Sequence, residues 1–216
     1  ALLVADILIL RNLLSPRQEP DTASDSAMWE NSIAVLPFKN ISSDPEQEYF
    51  CDGMTEQIIT NLSQLEKLKV TARSSVMKFK QSDKTVPEIG TILNVNYVLE
   101  GSVRKSADRI RVTAQLIKAT DGFHLWAKDY DRNLKEIFEV QDNISQEIAS
   151  ALMEKLSPSE IQGVATPRSA SANAYVYYLQ GANLANRFDH VPTVETFRNA
   201  EVMLKKCIEL DSEYAP

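Results

Sequence analysis

Cysteine, glycine and positive charge are all in short supply in this 216-residue sequence. Its two cysteines, Cys51 and Cys207, are too few for a disulfide framework or a thiolate metal site. With six glycines and nine prolines, the chain is neither collagen-like nor a low-complexity linker. Its 23 lysines and arginines face 30 aspartates and glutamates, and the resulting net charge of −7 lacks the electrostatic footprint of a nucleic-acid binder. We therefore predict no nucleic-acid partner for this chain.

The sequence also lacks the motifs of common active sites. It contains no glycine-rich phosphate loop and no Gly-x-Ser-x-Gly nucleophile turn. Neither histidine, His124 or His190, has a second metal ligand at helical or ribbon spacing. Three carboxylates, Glu46, Glu48 and Asp52, precede a predicted helix, where acids favour the helix macrodipole more often than they catalyse. The sequence therefore predicts no catalytic residue, no cofactor and no metal ion.

With 44% apolar and 25% charged residues, the chain has the composition of an ordinary globular protein. The distribution of these residues along the chain divides it into five segments. Residues 1–13 open with an apolar stretch that ends near Leu10 and is too short to cross a bilayer alone. We interpret it as the end of a transmembrane helix, with an amphipathic or disordered tail as the alternative. Residues 14–31 and 157–171 have linker composition. Between them we predict a domain at 32–156, and after them a helical region at 172–216.

Residues 32–156 carry alternating strand and helix signals that predict an α/β (α+β) fold. The apolar run at 32–38 fits a strand buried on both faces, and residues 109–117 alternate apolar and polar side chains as a half-buried strand does. The predicted helices include residues 52–65, with Asp52 as the N-cap, and a long helix at 134–156. The order β-α-β-α-β-β-β-α implies a mixed sheet of about five strands with helices packed on it.

The segment 123–130 is the most suggestive one for binding. In a strand, one face carries His124, Trp126, Lys128 and Tyr130, and the other carries Phe123, Leu125 and Ala127. One interpretation is a recognition strand that offers an amphipathic surface to a peptide or ligand. The interpretation that we favour is that Trp126 and Tyr130 pack under the long helix while Lys128 pairs with a neighbouring acid.

Four basic residues, Arg104, Lys105, Arg109 and Arg111, cluster around the preceding hairpin. A nucleic-acid surface would use such a cluster, ideally with aromatic side chains for stacking. The acidic background favours a solvated role that protects the edge of the sheet instead. We take Arg104 and Arg109, together with His124, Trp126, Lys128 and Tyr130, as the candidate interaction surface.

A series of short motifs between residues 32 and 142 carries a family resemblance. They are SIAVLPF at 32–38, DPE at 44–46, YFCDGMTE at 49–56, YVLEGSVR at 97–104, RVTAQLI at 111–117, GFHLWA at 122–127, YDR at 130–132, IF at 137–138 and QD at 141–142. In this order they resemble the TolB-like N-terminal domain of many bacterial regulators. The resemblance covers about residues 32–156.

The resemblance implies a non-catalytic module that follows a single membrane span and precedes tetratricopeptide repeats. The effector upstream of the span differs among such proteins: a nucleotide cyclase, a winged-helix DNA-binding domain or a protein kinase. Residues 172–216 look like the first repeat, with Gly181 in its first helix and Ala200, Leu204 and Cys207 in its second. One repeat cannot bury its own face, so we expect more repeats to follow.

We therefore expect a non-catalytic, extracytoplasmic sensory or protein-interaction module of a membrane-anchored bacterial signalling protein. It would bind a peptide or protein partner, or pair with itself, and so bias a cytoplasmic effector. The alternatives are a non-catalytic C-terminal part of an adenylate or guanylate cyclase polypeptide and an envelope scaffold without an effector. The resemblance implies that the residues after about 14 lie in the periplasm, anchored to the inner membrane. Arg11 and Arg17 argue the other way, because positive charge beside a span favours the cytoplasmic side.

Overall fold

The computed structural model describes residues 31–152, 171–188 and 193–213, and their centre is a six-stranded mixed sheet. In spatial order the strands are β3-β1-β4-β5-β6, with β2 beside β4. Their bounds are β1 Ser32–Val35, β2 Lys39–Asn40, β3 Lys69–Val70, β4 Tyr97–Ser106, β5 Arg109–Lys118 and β6 His124–Asn133. The predicted mixed α/β class is confirmed, and the two-residue β2 is the strand that the sequence did not show.

Six α-helices lie in the same described ranges. They are α1 Glu48–Ser63, α2 Arg73–Val76, α3 Val86–Leu93, α4 Ile137–Leu152, α5 Ala172–Phe188 and α6 Val194–Leu210. Single 3-10 turns at Pro45–Gln47, Met77–Phe79 and Leu134–Glu136 adjoin α1, α2 and α4. The helix predicted at 134–156 thus begins with a 3-10 turn and is described as far as Leu152.

Strand β1 lies between two parallel neighbours, β3 and β4. Ile33 and Val35 are fully buried, which is what the uninterrupted apolar run predicts for a strand covered on both faces. The Leu36 N–H still donates to the Leu99 carbonyl at 2.9 Å. The next residue, Pro37, has no N–H to donate, so the ladder ends there.

Strands β4, β5 and β6 form an antiparallel meander. Along β5 the even-numbered apolar residues are buried and most of the intervening polar ones are accessible, as the period-two pattern predicts. A β-bulge between Leu116 and Ile117 shifts the register of β5 against β6. The connection to β6 turns at Gly122, whose φ of 76° suits a residue without a Cβ.

Helices α1 and α4 pack together over the core. Ile58 of α1 and Ile144 of α4 are fully buried in one cluster. A buried polar network joins the same two helices, because Asn61 Nδ2 donates to Asp142 Oδ1 and to Ser145 Oγ, each at 3.3 Å. The network satisfies a side chain that would otherwise lose its hydrogen bonds on burial.

Helix α1 begins earlier than the sequence predicts, and the prediction that Asp52 is its N-cap is wrong. The helix starts at Glu48, so Asp52 lies inside it, and its carboxylate accepts from Lys80 Nζ at 2.5 Å. Asp44 does the capping, because its side chain accepts the Glu46 N–H at 2.9 Å where the preceding 3-10 turn starts. Local spacing could not show that Asp52 has a partner 28 residues away.

Helices α5 and α6 are the two helices predicted for the C-terminal region, and they pack against each other. A Cβ at Gly181 would lie 2.7 Å from Leu204 Cγ, so the glycine allows the close approach of α6. Helix α5 also packs on α1, where a Cβ at Gly53 would lie 2.5 Å from Leu179 Cδ1. The helical pair is therefore docked on the α/β part of the structure through α5.

The predicted span at 1–13 and nearly all of the predicted linkers at 14–31 and 157–171 fall outside the described residues. Among the helices of the described ranges, none is both long enough and apolar enough to cross a membrane.

Candidate protein-interaction surface

Strand β6 forms one margin of the sheet in the described part of the chain. Strand β5 pairs with one side of it, and no described strand pairs with the other side. The strand is ten residues long, whereas β3 at the opposite margin has two residues. A long edge strand leaves a row of backbone N–H and C=O groups on its outer side, and such a row can pair with an added strand.

Three residues of the predicted interaction surface, Trp126, Lys128 and Tyr130, face helix α4. Trp126 Nε1 donates to Glu147 Oε2 at 3.0 Å, and Lys128 Nζ lies 2.5 Å from Glu147 Oε1. Tyr130 is buried, and this burial, together with the charge of Glu147, raises the pKa of its phenol. The packing interpretation is confirmed for these three residues, and Glu147 is the acid that pairs with Lys128. His124, at the start of the strand, is exposed.

The opposite face of the strand pair carries an ion-pair cluster. Arg109 and Arg111 both pair with Asp131, and the distance from Arg111 Nη2 to Asp131 Oδ2 is 2.7 Å. Hydrogen bonds from Arg111 and Arg109 hold the pKa of the Asp131 carboxyl below its ordinary value. Arg104 is the cross-strand partner of Arg111, and its Nε donates to the Ile41 carbonyl at 3.3 Å. The six predicted surface residues therefore lie on both faces of the sheet and do not form one patch. Strand β5 is flanked by β4 and β6, so Arg109 and Arg111 do not lie on an edge strand, and the predicted edge-protecting role does not apply to them.

Two exposed apolar side chains, Phe123 and Leu125, lie outside the predicted surface residues. Phe123 is 73% exposed and Leu125 51% exposed, at the point where the chain enters β6. In the sequence, alternation places both on the face opposite Trp126, but the register shift of the structure skips Leu125 in the pairing of β6 with β5 and interrupts that alternation. We call the outer side of residues 124–133, together with Phe123, His124 and Leu125, the β6 edge surface. Exposed apolar side chains beside an unpaired strand edge make this surface a candidate for partner binding.

The acidic cluster near the start of α1 is held by a lysine. Lys80 Nζ lies 3.0 Å from Glu48 Oε1 and 2.5 Å from Asp52 Oδ1. Burial lowers the pKa of Lys80, but the hydrogen bonds to the two carboxylates outweigh this effect and the pKa is raised. The ion pairs fasten the segment after the Met77–Phe79 turn to α1, which is a structural role. Across the described ranges, no group of histidine, cysteine and acidic side chains is arranged to hold a metal ion.

Comparison with known proteins shows the family. Residues 29–149 match the family described as the HilA/YgeH-like transcriptional regulator, second domain, and the chain belongs to this family. The chain is also similar to Putative adenylate cyclase 3 of Rhizobium meliloti (strain 1021), with 43% identity over 180 residues. This match takes in 83% of the chain but 30% of the relative, so the chain spans less than a third of that protein's length.

Several solved structures are similar over half or more of the chain, and three of them illustrate the range. TolB from Acinetobacter baumannii is 18% identical with a TM-score of 0.44, over 59% of this chain and 29% of that one. Lipoprotein GNA1162 from Neisseria meningitidis is 20% identical with a TM-score of 0.42, over 56% of this chain and 99% of that one. The C-terminal domain of LpoB from Escherichia coli is 15% identical with a TM-score of 0.38, over 51% of this chain and 88% of that one.

Proposed function

We propose that this chain is a non-catalytic protein-interaction module and that a peptide or protein partner binds at the β6 edge surface. The observation that carries the proposal is the ten-residue edge strand with exposed Phe123 and Leu125 at its start. A partner segment would add as a strand along β6, with backbone hydrogen bonds providing affinity and the two apolar side chains providing specificity. A second copy of the chain meets the same requirement, so self-pairing is one form of this binding.

We infer that the module acts within a longer, membrane-anchored bacterial signalling polypeptide. The name of the 43% identical relative supports an adenylate cyclase as the attached effector, and the family name supports a regulatory setting. Partner binding would bias the effector by favouring one of its conformations. An envelope scaffold without an effector is the alternative, and the sequence upstream of residue 1 distinguishes the two.

The order of segments that we propose for the polypeptide follows the sequence pattern. It runs from a span ending near Leu10 through a linker at 14–31, the module at 32–156 and a linker at 157–171 to the first tetratricopeptide repeat at 172–216. The close packing of Gly181 on Leu204 supports the repeat. Exposed Val194, Phe197 and Ile208 on α6 support further repeats that would cover them.

The proposed topology places the module in the periplasm. A fusion of alkaline phosphatase after residue 216 of the full-length polypeptide tests this, because the enzyme is active only in an oxidising compartment. We expect phosphatase activity, and a matched fluorescent-protein fusion that reports only from the cytoplasm should stay dark. The reverse pattern would contradict the periplasmic location.

Photo-crosslinking in the full-length polypeptide tests the β6 edge surface. A photoreactive amino acid replaces His124, which is exposed at the start of β6, or Glu139, an exposed residue of α4 that serves as the control position. We expect a discrete protein adduct from position 124 and none from position 139. An adduct of two copies of the polypeptide would identify self-pairing.

The matched variant carries Phe123→Ser and Leu125→Ser together. Both side chains are exposed, so the thermal unfolding temperature should stay within a few degrees of the original while the adduct from position 124 is lost. An adduct that forms equally from position 139, or that persists in the double variant, would overturn the proposed surface.

A further inference from the structure

A pocket of about 230 Å³ lies on the sheet face opposite α4. Its floor is formed by polar residues that alternate with the buried residues of β4 and β5: Glu100, Ser102, Thr113 and Gln115. Its walls are apolar and come from Phe79, from Ile89 of α3 and from residues 36–37 directly after β1. The pocket therefore combines a polar floor with apolar sides.

The position of the pocket in the topology is one that open α/β sheets use for ligands. The chain leaves β1 through α1 to reach β3 on one side, then returns past β1 through α2 and α3 to reach β4 on the other side. Ligands of such sheets bind beside the carboxyl ends of strands where successive crossovers diverge. Leu36 and Pro37, at the carboxyl end of β1, line this pocket.

Glu100 is the charged residue among the four polar residues of the floor. Its side chain is half-buried and has no hydrogen-bond or ion-pair partner within the described residues. An ionised carboxylate accepts hydrogen bonds and pairs with cations, and charge-assisted hydrogen bonds of this kind are stronger than neutral ones. A cationic nitrogen on a bound molecule would supply the missing interaction.

The rim of the pocket carries the opposite charge. Lys39 and Lys84 line the pocket and are exposed. Lys80 also lines it, but its ammonium group is already held by Glu48 and Asp52. The pocket thus presents an unpaired carboxylate below and two ammonium groups at the opening.

We propose that this pocket binds a free amino acid, with its ammonium group on Glu100 and its carboxylate on Lys39 and Lys84. The volume lies below the roughly 300–1,000 Å³ of sites for drug-sized ligands, so the occupant is a small molecule. Phe79 and Ile89 provide an apolar wall for its side chain. The proposal rests on the pocket alone and does not depend on partner binding at the β6 edge surface.

Isothermal titration of the full 216-residue chain at pH 7 with each of the twenty standard L-amino acids tests the proposal. We expect at least one to bind. Its N-acetyl derivative, which lacks the ammonium group, and its methyl ester, which lacks the carboxylate, should each bind at least tenfold more weakly. Absence of binding by all twenty, or undiminished binding of both derivatives, would overturn the proposal.

Two variants and one control locate the binding. Glu100→Gln keeps the shape of the floor but removes its charge, and we expect at least a tenfold loss of affinity, whereas Glu139→Gln on α4 should bind as the original does. If Glu100→Gln fails to fold, the exposed pair Lys39→Met with Lys84→Met carries the test, with the same loss expected. Unchanged affinity in either folded variant would refute this site.

Discussion

Gly101 occupies a point in β4 where a side chain has no room. A Cβ there would lie 2.6 Å from Cδ1 of the Phe38 ring, and Phe38 is fully buried. Phe38 is fixed in turn by α1, because Thr55 Oγ1 accepts its N–H at 3.0 Å. Two of the motifs that carry the family resemblance, SIAVLPF and YVLEGSVR, therefore meet at one contact. The packing of the Phe38 ring against β4 explains why position 101 is a glycine, and no binding or catalytic role is needed to explain it.

Gly101→Ala should reduce the free energy of unfolding by about 1–3 kcal/mol, since the added methyl group overpacks the core against Phe38. Urea unfolding followed by circular dichroism measures the change. Ser102→Ala, on the opposite face of the same strand, should change stability by less than about 0.5 kcal/mol and serves as the control. Equal effects of the two substitutions would show that the packing of Phe38 leaves room for a methyl group at position 101.

The thiol of Cys51 should be unreactive in the folded protein. Burial, reinforced by the charges of Glu48 and Asp52, raises its pKa to about 12. In the unfolded chain a thiol of ordinary pKa forms roughly a thousand times more of the reactive thiolate at pH 8. We expect iodoacetamide at pH 8 to label Cys51 rapidly in 8 M urea and negligibly without it, as followed by mass spectrometry of peptides. Rapid labelling of the folded chain would contradict the observed burial.

Helix α1 shows which parts of an element the sequence can predict. Its apolar residues recur at helical spacing, so the existence of the helix and its buried face were predictable. Its start was misplaced although a local signal exists, because Asp44 followed by Pro45 caps the 3-10 turn that leads into the helix. What the sequence could not show is that Asp52 pairs with Lys80, a residue distant in the sequence. The four-residue helix α2 was missed because a single turn has too few residues to show a period. Local patterns therefore indicate the longer elements, and tertiary contacts decide the partners of their polar side chains.

Lys80→Ala should destabilise the protein at pH 7 by about 1–3 kcal/mol, because it leaves two partly buried carboxylates without their cation. The pKa of Lys80 is raised in the folded state, so its stabilising effect is complete below the unfolded pKa of about 10.4 and is lost as the pH rises through the folded value. Urea unfolding at pH 7 and at pH 11.5 measures this effect. The difference in the free energy of unfolding between Lys80→Ala and the original protein should be smaller at pH 11.5 than at pH 7. Lys78→Ala, an exposed neighbour, is the control and should have little effect at either pH. A difference that is constant with pH would refute the ion-pair explanation.

At the scale of the whole molecule, the sheet class and one contact between its layers were predictable, and the other contacts between layers were not. The alternation in segment 123–130 correctly brought Trp126, Lys128 and Tyr130 to one face. The predicted packing of this face under the long helix is confirmed as well. Whether anything covers the other face has no local signal, so the exposure of Phe123 and Leu125 was not predictable. The docking of α5 on α1 likewise left no local signal, because it depends on a glycine in one helix opposing a leucine in another.

Leu179→Ala should test whether the helical pair and the α/β part unfold together. The side chain is buried against Gly53, and its truncation should cost about 2–4 kcal/mol. Hydrogen exchange followed by mass spectrometry should show faster exchange in α5 and α6 and also in α1. Leu210→Ala on the exposed face of α6 should leave all three unchanged. Faster exchange confined to α5 and α6 would mean that the helical pair opens independently.

The two margins of the described sheet are unequal, and this limits the size of any assembly formed by strand addition. A copy that joins through the ten-residue β6 finds only the two-residue β3 at the far side of its neighbour, so a third copy has almost no backbone to pair with. Two copies that pair through β6 would be related by a twofold axis, and the long edge strand of each would then be fully paired. Growth along the sheet would stop at a dimer, whereas a sheet with two long margins could extend into a fibre.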